Sequence, residues 1–248
     1  MIDLHAHILP GVDDGAPDLE CALTMAEMAV ESGVSAIVAT PHCNMPGRFA
    51  NYWDYSLHGK IKAFQQELRK AGIRLAIVSG MEVFGTPDTP ELLRQGKLTT
   101  LGGSRYLLIE FPFEGYAQQA TEILRAILAM GYRPVVAHPE RYRYVQNVPS
   151  LLNQWQSIGC LMQLNKGSLL GSFGRAAQTL ALSMIDRGFA AAVASDAHSH
   201  AARTTWLLDI WEFLCEEYSE ETAGPLLEDN PRSLLRNADL RMKEPDWF

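Results

Sequence analysis

Histidine, aspartate and glutamate residues directly follow one apolar, strand-like run after another along the 248 residues of the chain. The segments are Asp3-Leu4-His5-Ala6-His7, Pro41-His42, Met81-Glu82, Ile109-Glu110, Ala137-His138-Pro139 and Ser195-Asp196-Ala197-His198. In a barrel of parallel strands surrounded by helices, side chains just past the strand ends converge on one face. Imidazole and carboxylate ligands without cysteine suit a divalent ion such as manganese, iron or zinc. The pattern therefore predicts a metal-dependent hydrolase on an α/β barrel.

The segments around these residues alternate between strand and helix patterns. We expect strands over residues 2–5, 34–39, 73–79, 106–110, 134–137, 161–164 and 190–194, and helices over 19–32, 53–71, 117–130, 151–157, 176–187 and 202–217. Asp18 is expected to cap the first helix. The apolar residues that recur at helical spacing there are Leu19, Leu23, Ala26 and Val30. Because the strands are continuously apolar, the alternation indicates a buried parallel sheet of about seven strands.

The composition is typical of one globular domain. With 47% hydrophobic residues, a chain of 248 residues suits a single barrel, so we expect one domain over residues 1–248. No apolar stretch reaches the roughly 18 residues of a transmembrane helix, and no signal peptide precedes the first strand, so a cytoplasmic protein without membrane insertion is expected. The formal charge of −8, without a basic stripe, argues against nucleic-acid binding. The cysteines, expected as reduced thiols, are Cys21, Cys43, Cys160 and Cys215.

Two pairs of candidate ligands have a spacing that suits a shared ion. His5 and His7 lie two residues apart at the end of the first strand, so in an extended backbone their side chains point the same way. Asp196 and His198 repeat this spacing after the last strand. The two pairs would face each other where the barrel closes.

Four other candidate ligands stand alone after strands. Glu82 and Glu110 end apolar strands, where a carboxylate is rarely buried without a compensating charge, and divalent ions would provide that charge. His42 and His138 each adjoin a proline, which stiffens the backbone that holds them. Taken alone, either histidine is equally consistent with a capping or core residue.

Two motifs have alternative readings. In the turn before Gly15, we favour Asp14 as a metal ligand, with Asp13 close behind and a plain turn signal as a third reading. The segment from Cys43 to Arg48 resembles the phosphate loop of cysteine-dependent tyrosine phosphatases. That loop needs five residues between cysteine and arginine, whereas this segment has four, and Phe49 occupies the required position. We therefore expect Cys43 to take no part in the chemistry.

Several residues near the expected barrel mouth stay ambiguous. The aromatic segment 48–55 either flanks a substrate ring or packs the loop onto the barrel. Lys166 either attracts an acidic substrate tail or caps a loop. His200 either joins the ligands or, as we favour, points to solvent, and His58 is expected on a helix surface.

The motifs resemble those of the polymerase-and-histidinol-phosphatase (PHP) family, whose trinuclear metal sites lie in a distorted (β/α)7 barrel. The resemblance is carried by Ile2-Asp3-Leu4-His5-Ala6-His7-Ile8-Leu9-Pro10-Gly11-Val12-Asp13-Asp14-Gly15, His138-Pro139-Glu140-Arg141-Tyr142, Ser195-Asp196-Ala197-His198 and Asn230-Pro231-Arg232-Ser233-Leu234-Leu235. Up to about residue 238, the chain is similar to bacterial manganese-dependent protein tyrosine phosphatases that act on capsule and exopolysaccharide tyrosine kinases. The resemblance implies Mn²⁺, with iron or zinc as alternatives, and a substrate in the tyrosine-rich tail of a membrane-associated kinase.

The resemblance also implies roles for individual residues. It assigns one ion to His5, His7, Glu82 and Asp196, a second to Glu82, Glu110 and His138, and a third to Asp14, His42 and His198. It further implies that Arg141 and Arg203 contact the phosphate, where guanidinium groups donate forked hydrogen bonds. Two departures concern the substrate: Lys166 stands where this branch usually has alanine, and Thr204-Thr205 replaces a proline after Arg203.

Three alternatives are left open. A phosphatase of a small metabolite such as histidinol phosphate would use the same barrel with a closed pocket and anchoring polar groups. A metal-binding regulatory subunit with vestigial activity is disfavoured because the ligand set is complete. Metal-dependent deacylation is weaker still, because such barrels commonly add a carboxylated lysine and no strand-end lysine here fits that role. The oligomeric state does not follow from the sequence.

Overall fold

The computed structural model describes residues 1–240 and 242–248, and strands alternate with helices through most of this length. The strands are β1 (Ile2–Ala6), β2 (Ala36–Ala39), β3 (His42–Cys43), β4 (Ala76–Ser79), β5 (Glu82–Phe84), β6 (Tyr106–Glu110), β7 (Arg133–Ala137), β8 (Leu161–Asn165) and β9 (Ala190–Ala194). The helices are α1 (Leu19–Glu31), α2 (Tyr55–Lys70), α3 (Thr89–Arg94), α4 (Ala117–Ala129), α5 (Arg143–Asn147), α6 (Leu151–Ser157), α7 (Lys166–Leu169), α8 (Arg175–Asp186), α9 (Leu208–Glu217), α10 (Glu220–Gly224) and α11 (Asn230–Leu235).

The strands form two parallel sheets, in the orders β1-β2-β4 and β3-β5-β6-β7-β8-β9. Strand β3 continues the path of β2 beyond Thr40-Pro41, and β5 continues β4 beyond Gly80-Met81. Pro41 has no N–H to donate to a neighbouring strand, and a Cβ atom on Gly80 would lie 2.6 Å from Val38 of the neighbouring strand β2, so both residues interrupt the pairing. The described segments thus occupy seven strand positions, as predicted for a distorted (β/α)7 barrel.

The first and last strands lie side by side. The N–H of Asp196 donates to the carbonyl of His5 at 2.8 Å, and the N–H of His7 donates to the carbonyl of Ala197 at 2.9 Å. Asp3, inside β1, accepts hydrogen bonds from the backbone and hydroxyl of Ser195 at 3.0 and 2.5 Å. These hydrogen bonds connect the first strand with the segment after the last strand, and they bring the two predicted ligand pairs together.

Both faces of the central strands are buried. In β6, Leu107 packs in one apolar cluster and Leu108 in another, and in β7 the same alternation separates Val136 from Val135. Side chains of successive strand residues point to opposite faces of the sheet. One cluster therefore lies on the inner face of the strands, and the other lies between the strands and the helices. This explains why the strands are apolar at every position.

Two helices begin where a carboxylate caps them. Asp18 accepts a hydrogen bond from the N–H of Cys21 at 2.9 Å, as predicted. Asp54 accepts one from the N–H of Leu57 at 2.8 Å, which starts α2 at Tyr55, two residues later than expected. In both cases the side chain satisfies an N–H group that the first helical turn leaves free.

One expectation about helices was wrong. The helix expected over residues 202–217 begins only at Leu208, because residues 199–207 form a loop that is bound by tertiary contacts instead of helical ones. In that loop, the N–H of His198 donates to the carbonyl of Arg203 at 2.8 Å, and the hydroxyl of Thr205 donates to the carbonyl of Met25. The buried residues of α1 are Cys21, Ala22, Met25, Ala26 and Ala29, whereas Leu19 and Val30 are exposed. The small side chains of α1 thus form its packed face.

Within residues 1–240 and 242–248, no helix combines the length and apolar character needed to cross a membrane.

Candidate metal centre

All nine predicted ligands lie at one end of the barrel, and the ligand atoms of eight of them converge in three groups. The groups are His5, His7, Glu82 and Asp196; His42, Glu82 and Glu110; and His7, Asp14, His42 and His198. Within each group the ligand atoms lie within 4.8 Å of one another. Two histidines and one glutamate belong to two groups each, so the three positions are adjacent.

The first group coincides with one ligand set expected from the resemblance. Nε2 of His5 lies 3.3 Å from Nε2 of His7, and Oε2 of Glu82 lies 3.2 Å from both nitrogens. Oδ1 of Asp196 is 3.4 Å from His5 and 3.6 Å from His7. The first and last strands and the β4–β5 position therefore all contribute to one site.

The second group has the geometry of ligands rather than of hydrogen-bonded partners. Nδ1 of His42 lies 3.0 Å from Oε2 of Glu82 and 3.1 Å from Oε1 of Glu110. Yet these three buried atoms make no hydrogen bond with any described residue. Buried polar atoms normally have a hydrogen-bond partner or a bound ion. A divalent ion that these three atoms coordinate would fill that role. The donors present fit a metal ion.

The third group lies nearest the solvent. Oδ1 of Asp14 is 3.5 Å from Nε2 of His42 and 3.6 Å from Nε2 of His198. The rings of His7 and His198 are 4.0 Å apart between centroids. Asp14 has 37% of its side chain exposed, whereas the histidines are largely buried. An ion in this position would be the most accessible to substrate.

His138 lies beside Glu82, outside the three groups. The Nε2 atom of His138 lies 2.9 Å from Oε1 of Glu82, whereas His42 contacts the other carboxylate oxygen, Oε2. Among the described residues, His138 belongs to none of the three groups. His138 and Asp196 both have left-handed backbones, with φ of 37° and 51°. Such conformations cost energy in residues other than glycine and cluster at functional sites.

A second layer of side chains orients the ligands. Nδ1 of His5 lies 2.9 Å from Oε1 of Gln163, and Nδ1 of His7 lies 2.7 Å from Oδ2 of Asp13. Asp13 also accepts the N–H of His42 at 2.9 Å. Ligand histidines commonly bind such a partner through the second ring nitrogen, which fixes the ring and its tautomer. Asp13 thus lies behind the ligands, and Asp14 lies among them. Gln163 was not anticipated, and only its polar side chain in an apolar strand marks it.

The histidines and carboxylates of the cluster shift one another's pKa values. Burial alone would lower the pKa of His42, but the carboxylates of Glu82 and Glu110 raise it to about 10. Burial alone would raise the pKa of Glu82, but the charges of His5 and His42 hold it well below its usual range. Burial and the charge of His7 lower the pKa of His198 to about 3. The negative charge of Glu82 and the positive charge of His42 therefore stabilise each other.

Both predicted arginines reach the cluster. A terminal nitrogen of Arg141 lies 3.2 Å from Oδ2 of Asp196, and Arg203 contacts the same oxygen. The side-chain amide of Asn165 donates to it as well, at 2.5 Å. The guanidinium of Arg141 lies 4.1 Å from the ring centroid of Phe173, and that of Arg203 lies 5.8 Å from it. Asn165 and Phe173 were not identified from the sequence, because their roles depend on contacts between distant strands and loops.

The residues whose roles the sequence left open lie outside the ligand groups. The Nζ atom of Lys166 donates to the carbonyl of Trp206 and lies 3.1 Å from Asp209, so it holds the 199–207 loop and is not free for a substrate tail. His200 is exposed, as favoured, with Nδ1 3.3 Å from the sulfur of Cys21. His58 is exposed on α2, as expected.

The loop after β3 lies over the site. Phe49 stacks on His42 with ring centroids 5.7 Å apart, and Asn51 donates to the carbonyl of His42 at 2.9 Å. The aromatic segment thus packs the loop onto the barrel and also borders the ligands. Burial raises the pKa of the Cys43 thiol to about 12, which makes it a poor nucleophile.

Ligands gathered at one end of a parallel barrel, next to two guanidinium groups, define a metal-dependent hydrolase of the barrel class. The chain belongs to the family described as capsular polysaccharide synthesis, CpsB/CapC, whose model matches residues 1–236.

Relatives and a solved structure agree with this assignment. Tyrosine-protein phosphatase YwqE of Bacillus subtilis is 34% identical over 99% of this chain and 95% of its own length. The putative tyrosine-protein phosphatase CapC of Staphylococcus aureus is 33% identical over 100% of this chain and 99% of its own length. A chain from the crystal structures of YwqE from Bacillus subtilis and CpsB from Streptococcus pneumoniae, unique metal-dependent tyrosine phosphatases, matches with a TM-score of 0.93 and 33% identity, covering 100% of this chain and 99% of that one.

Proposed function

We propose that this chain is a metal-dependent protein tyrosine phosphatase that hydrolyses phosphotyrosine directly, without a phosphoenzyme. The observation that carries the proposal is the convergence of Arg141 and Arg203 on Asp196, beside three adjacent groups of ligand atoms. A phosphate monoester needs both elements: cations for its oxygens and directional donors that hold it in line. The family membership and the named phosphatase relatives support the same activity.

The nine ligand side chains would hold the ions in this reaction. When bound there, divalent ions supply Lewis-acid stabilisation of the negative charge that develops on the phosphoryl and leaving oxygens. We propose manganese as the native metal, with iron and zinc as alternatives that suit the same nitrogen and oxygen donors. Glu82 holds the cluster together, because its Oε2 belongs to two of the three groups.

The chain's own side chains position the substrate. Arg141 and Arg203 present N–H groups that match the oxygens of a phosphoryl group, and the ring of Phe173 beneath them limits their movement. Phe113, with 41% of its surface exposed, lies 5.8 Å from the ring of His138 and offers an apolar face to the phenyl ring of phosphotyrosine. The buried Cys43 thiol takes no part in this scheme.

The finer assignments are also part of the proposal. We propose that residues 1–248 form one domain that acts in the cytoplasm on the tyrosine-rich tail of a membrane-associated bacterial kinase that controls capsule or exopolysaccharide synthesis. The support is the description of the matched family, which concerns capsular polysaccharide synthesis. A flexible tail suits a site whose outermost ligand, Asp14, is partly exposed.

The test compares three substrates with metal-free protein resupplied with manganese, iron or zinc. We expect rapid turnover of a phosphotyrosine peptide and little turnover of a phosphoserine peptide or of histidinol phosphate. His138→Ala should be inactive, whereas His58→Ala, which removes an exposed histidine on α2, should behave like the native protein. Preference for histidinol phosphate would assign the protein to metabolite phosphatases. Metal binding without hydrolysis of any ester would assign it to regulatory proteins.

A further inference from the structure

A basic cleft of about 410 Å³ opens beside the metal centre and shares Arg141 with it. Its lining includes Phe113, Glu114, Arg141, Arg143, Phe173 and Arg175, and we refer to it as the basic cleft. The expected metal ligands do not line the cleft, and the proposed chemistry leaves Arg143 and Arg175 without a role.

The basic cleft concentrates positive charge in an acidic chain. The chain has 21 lysines and arginines against 29 aspartates and glutamates, yet the described lining residues of the cleft carry three arginines and a single carboxylate. That carboxylate, on Glu114, lies 3.1 Å from Nε of Arg143, and both side chains are mostly exposed. Arg175 is exposed as well. A locally positive cleft in a negative protein selects and concentrates anions.

The geometry links the cleft to the metal centre through one side chain. The guanidinium of Arg141 lies between Phe113 and Phe173, at 4.6 and 4.1 Å from their ring centroids, and reaches Asp196 at 3.2 Å. A single guanidinium thus separates the two spaces.

The cleft also continues away from the metal centre. Gln146, Arg175 and Ala176 line both the basic cleft and a second open hollow of about 530 Å³ that extends to Phe248. The two spaces form one path along the surface from Arg141 past Arg175. A peptide with its phosphotyrosine at the metal centre has room to follow this path.

We propose that the basic cleft binds a second anionic group, a carboxylate or a phosphate, on the same peptide that carries the reacting phosphotyrosine. The inference rests on the proposed function and adds a sequence preference to it. Guanidinium groups bind carboxylates and phosphates through the same forked contacts, so Arg143 and Arg175 serve either source. Arg143 would exchange its partner Glu114 for the anion of the substrate.

The first test measures kcat/KM of the manganese-loaded protein for matched phosphotyrosine peptides. Their flanking residues are all neutral, or include glutamates, lysines or a second phosphotyrosine. We expect about three- to tenfold higher kcat/KM for the two anionic peptides, a preference that declines as salt is added. The Arg143→Gln/Arg175→Gln protein should lose the preference, and Arg125→Gln, which removes an exposed arginine on α4, should retain it. Comparing the glutamate peptide with the doubly phosphorylated one identifies the favoured source.

Two further measurements distinguish failure of the cleft proposal from failure of the proposed function. Glu114→Gln removes the competing carboxylate and should increase the preference for anionic peptides. Fluorescence polarisation with labelled acidic and neutral phosphopeptides reports binding without turnover. Preferential binding of the acidic peptide by the native protein, but not by the double variant, would support the cleft even if no peptide is hydrolysed. Absence of hydrolysis would contradict only the proposed function. Equal binding of both peptides by the native protein would overturn the inference.

Discussion

The carboxylate of Asp13 lies 2.7 Å from Nδ1 of His7, whose other ring nitrogen lies 3.2 Å from Glu82. The same carboxylate accepts the backbone N–H of His42 at 2.9 Å and that of Gly15 at 3.0 Å. One side chain outside the ligand groups therefore fixes both a histidine ring and the backbone of another ligand. Its pKa is lowered to about 2, because the charge and hydrogen bond of His7 outweigh burial.

Asp13→Asn should weaken metal binding while leaving the ligands in place. The amide cannot accept from both His7 and the two N–H groups as a carboxylate does, so the ring of His7 loses its fixed orientation. Loss of such a partner typically costs about 10- to 100-fold in metal affinity. Isothermal titration of metal-free protein with manganese would measure this, with Glu27→Gln on the exposed side of α1 as a charge-matched control. Unchanged affinity would contradict the role.

Glu82→Gln should reduce the number of ions bound per chain. Oε2 of Glu82 belongs to two ligand groups, so a neutral amide there removes a ligand and a negative charge from both. Elemental analysis of protein loaded with manganese would count the ions. Glu140→Gln is the matched control, because Glu140 is also fully buried and burial raises its pKa, so the amide resembles its protonated form. Equal ion counts in both variants would show that Glu82 is dispensable.

Gly15→Ala should displace the turn that carries Asp13 and Asp14. A Cβ atom there would lie 2.0 Å from the carbonyl oxygen of His7, which also accepts the N–H of Ala16 at 3.0 Å. We expect a loss of about 1–3 kcal/mol in the free energy of unfolding, together with weaker metal binding. Gly59→Ala, where a Cβ on α2 meets open space, should instead gain about 0.5–1 kcal/mol. Denaturant unfolding of both variants would check the contrast.

Lys166→Met should loosen the loop that carries Arg203. Lys166 is 8% exposed and binds the Trp206 carbonyl and Asp209, so its removal should cost about 1–3 kcal/mol of stability and raise KM for a phosphotyrosine peptide. Asp209→Asn removes the ion pair but keeps the bond to Trp206, and should cost less because Asp209 is 39% exposed. Thermal unfolding and steady-state kinetics would separate the two effects. A KM that stays constant in Lys166→Met would contradict the positioning role.

Metal-free protein should lose stability as pH rises above neutral. The pKa of His42 is raised to about 10 in the folded chain, against about 6.5 for an unperturbed histidine. The stabilisation from its proton is complete below pH 6.5 and declines until pH 10, because the unfolded chain has already released that proton. Metal ions displace these protons, so manganese-loaded protein should show a flatter profile. Melting temperatures from pH 6 to pH 10, with and without manganese, would test this, and identical profiles would contradict it.

The fold was predictable where local pattern and tertiary structure agree. Apolar runs that end in histidine or carboxylate marked the strand positions, because such residues are stable at a strand end only when charge compensates them. The interruptions at Pro41 and Gly80 depend on neighbouring strands and were not anticipated. The start of α9 was misplaced because Thr205 and Lys166 bind distant parts of the chain, and those contacts override local helix preference.

The sequence predicts that the candidate ligands lie together at one end of the barrel, but spacing along the chain does not by itself predict how all of them are grouped. Spacing alone indicates that His5 and His7 share an ion, since both lie on one strand. Which ligand stands beside Glu110 depends on how β3 and β5 pair, and the register places His42 opposite Glu82. The orienting partners Gln163 and Asn165 lie on β8, which carries no expected ligand.

The hydrogen bonds between His5 and Asp196 and between His7 and Ala197 have a consequence for biosynthesis. A ribosome adds about 5–20 residues per second, so the first ligands emerge tens of seconds before the last ones are made. The two ligand groups that include Asp196 or His198 therefore form only after the final strand has been made.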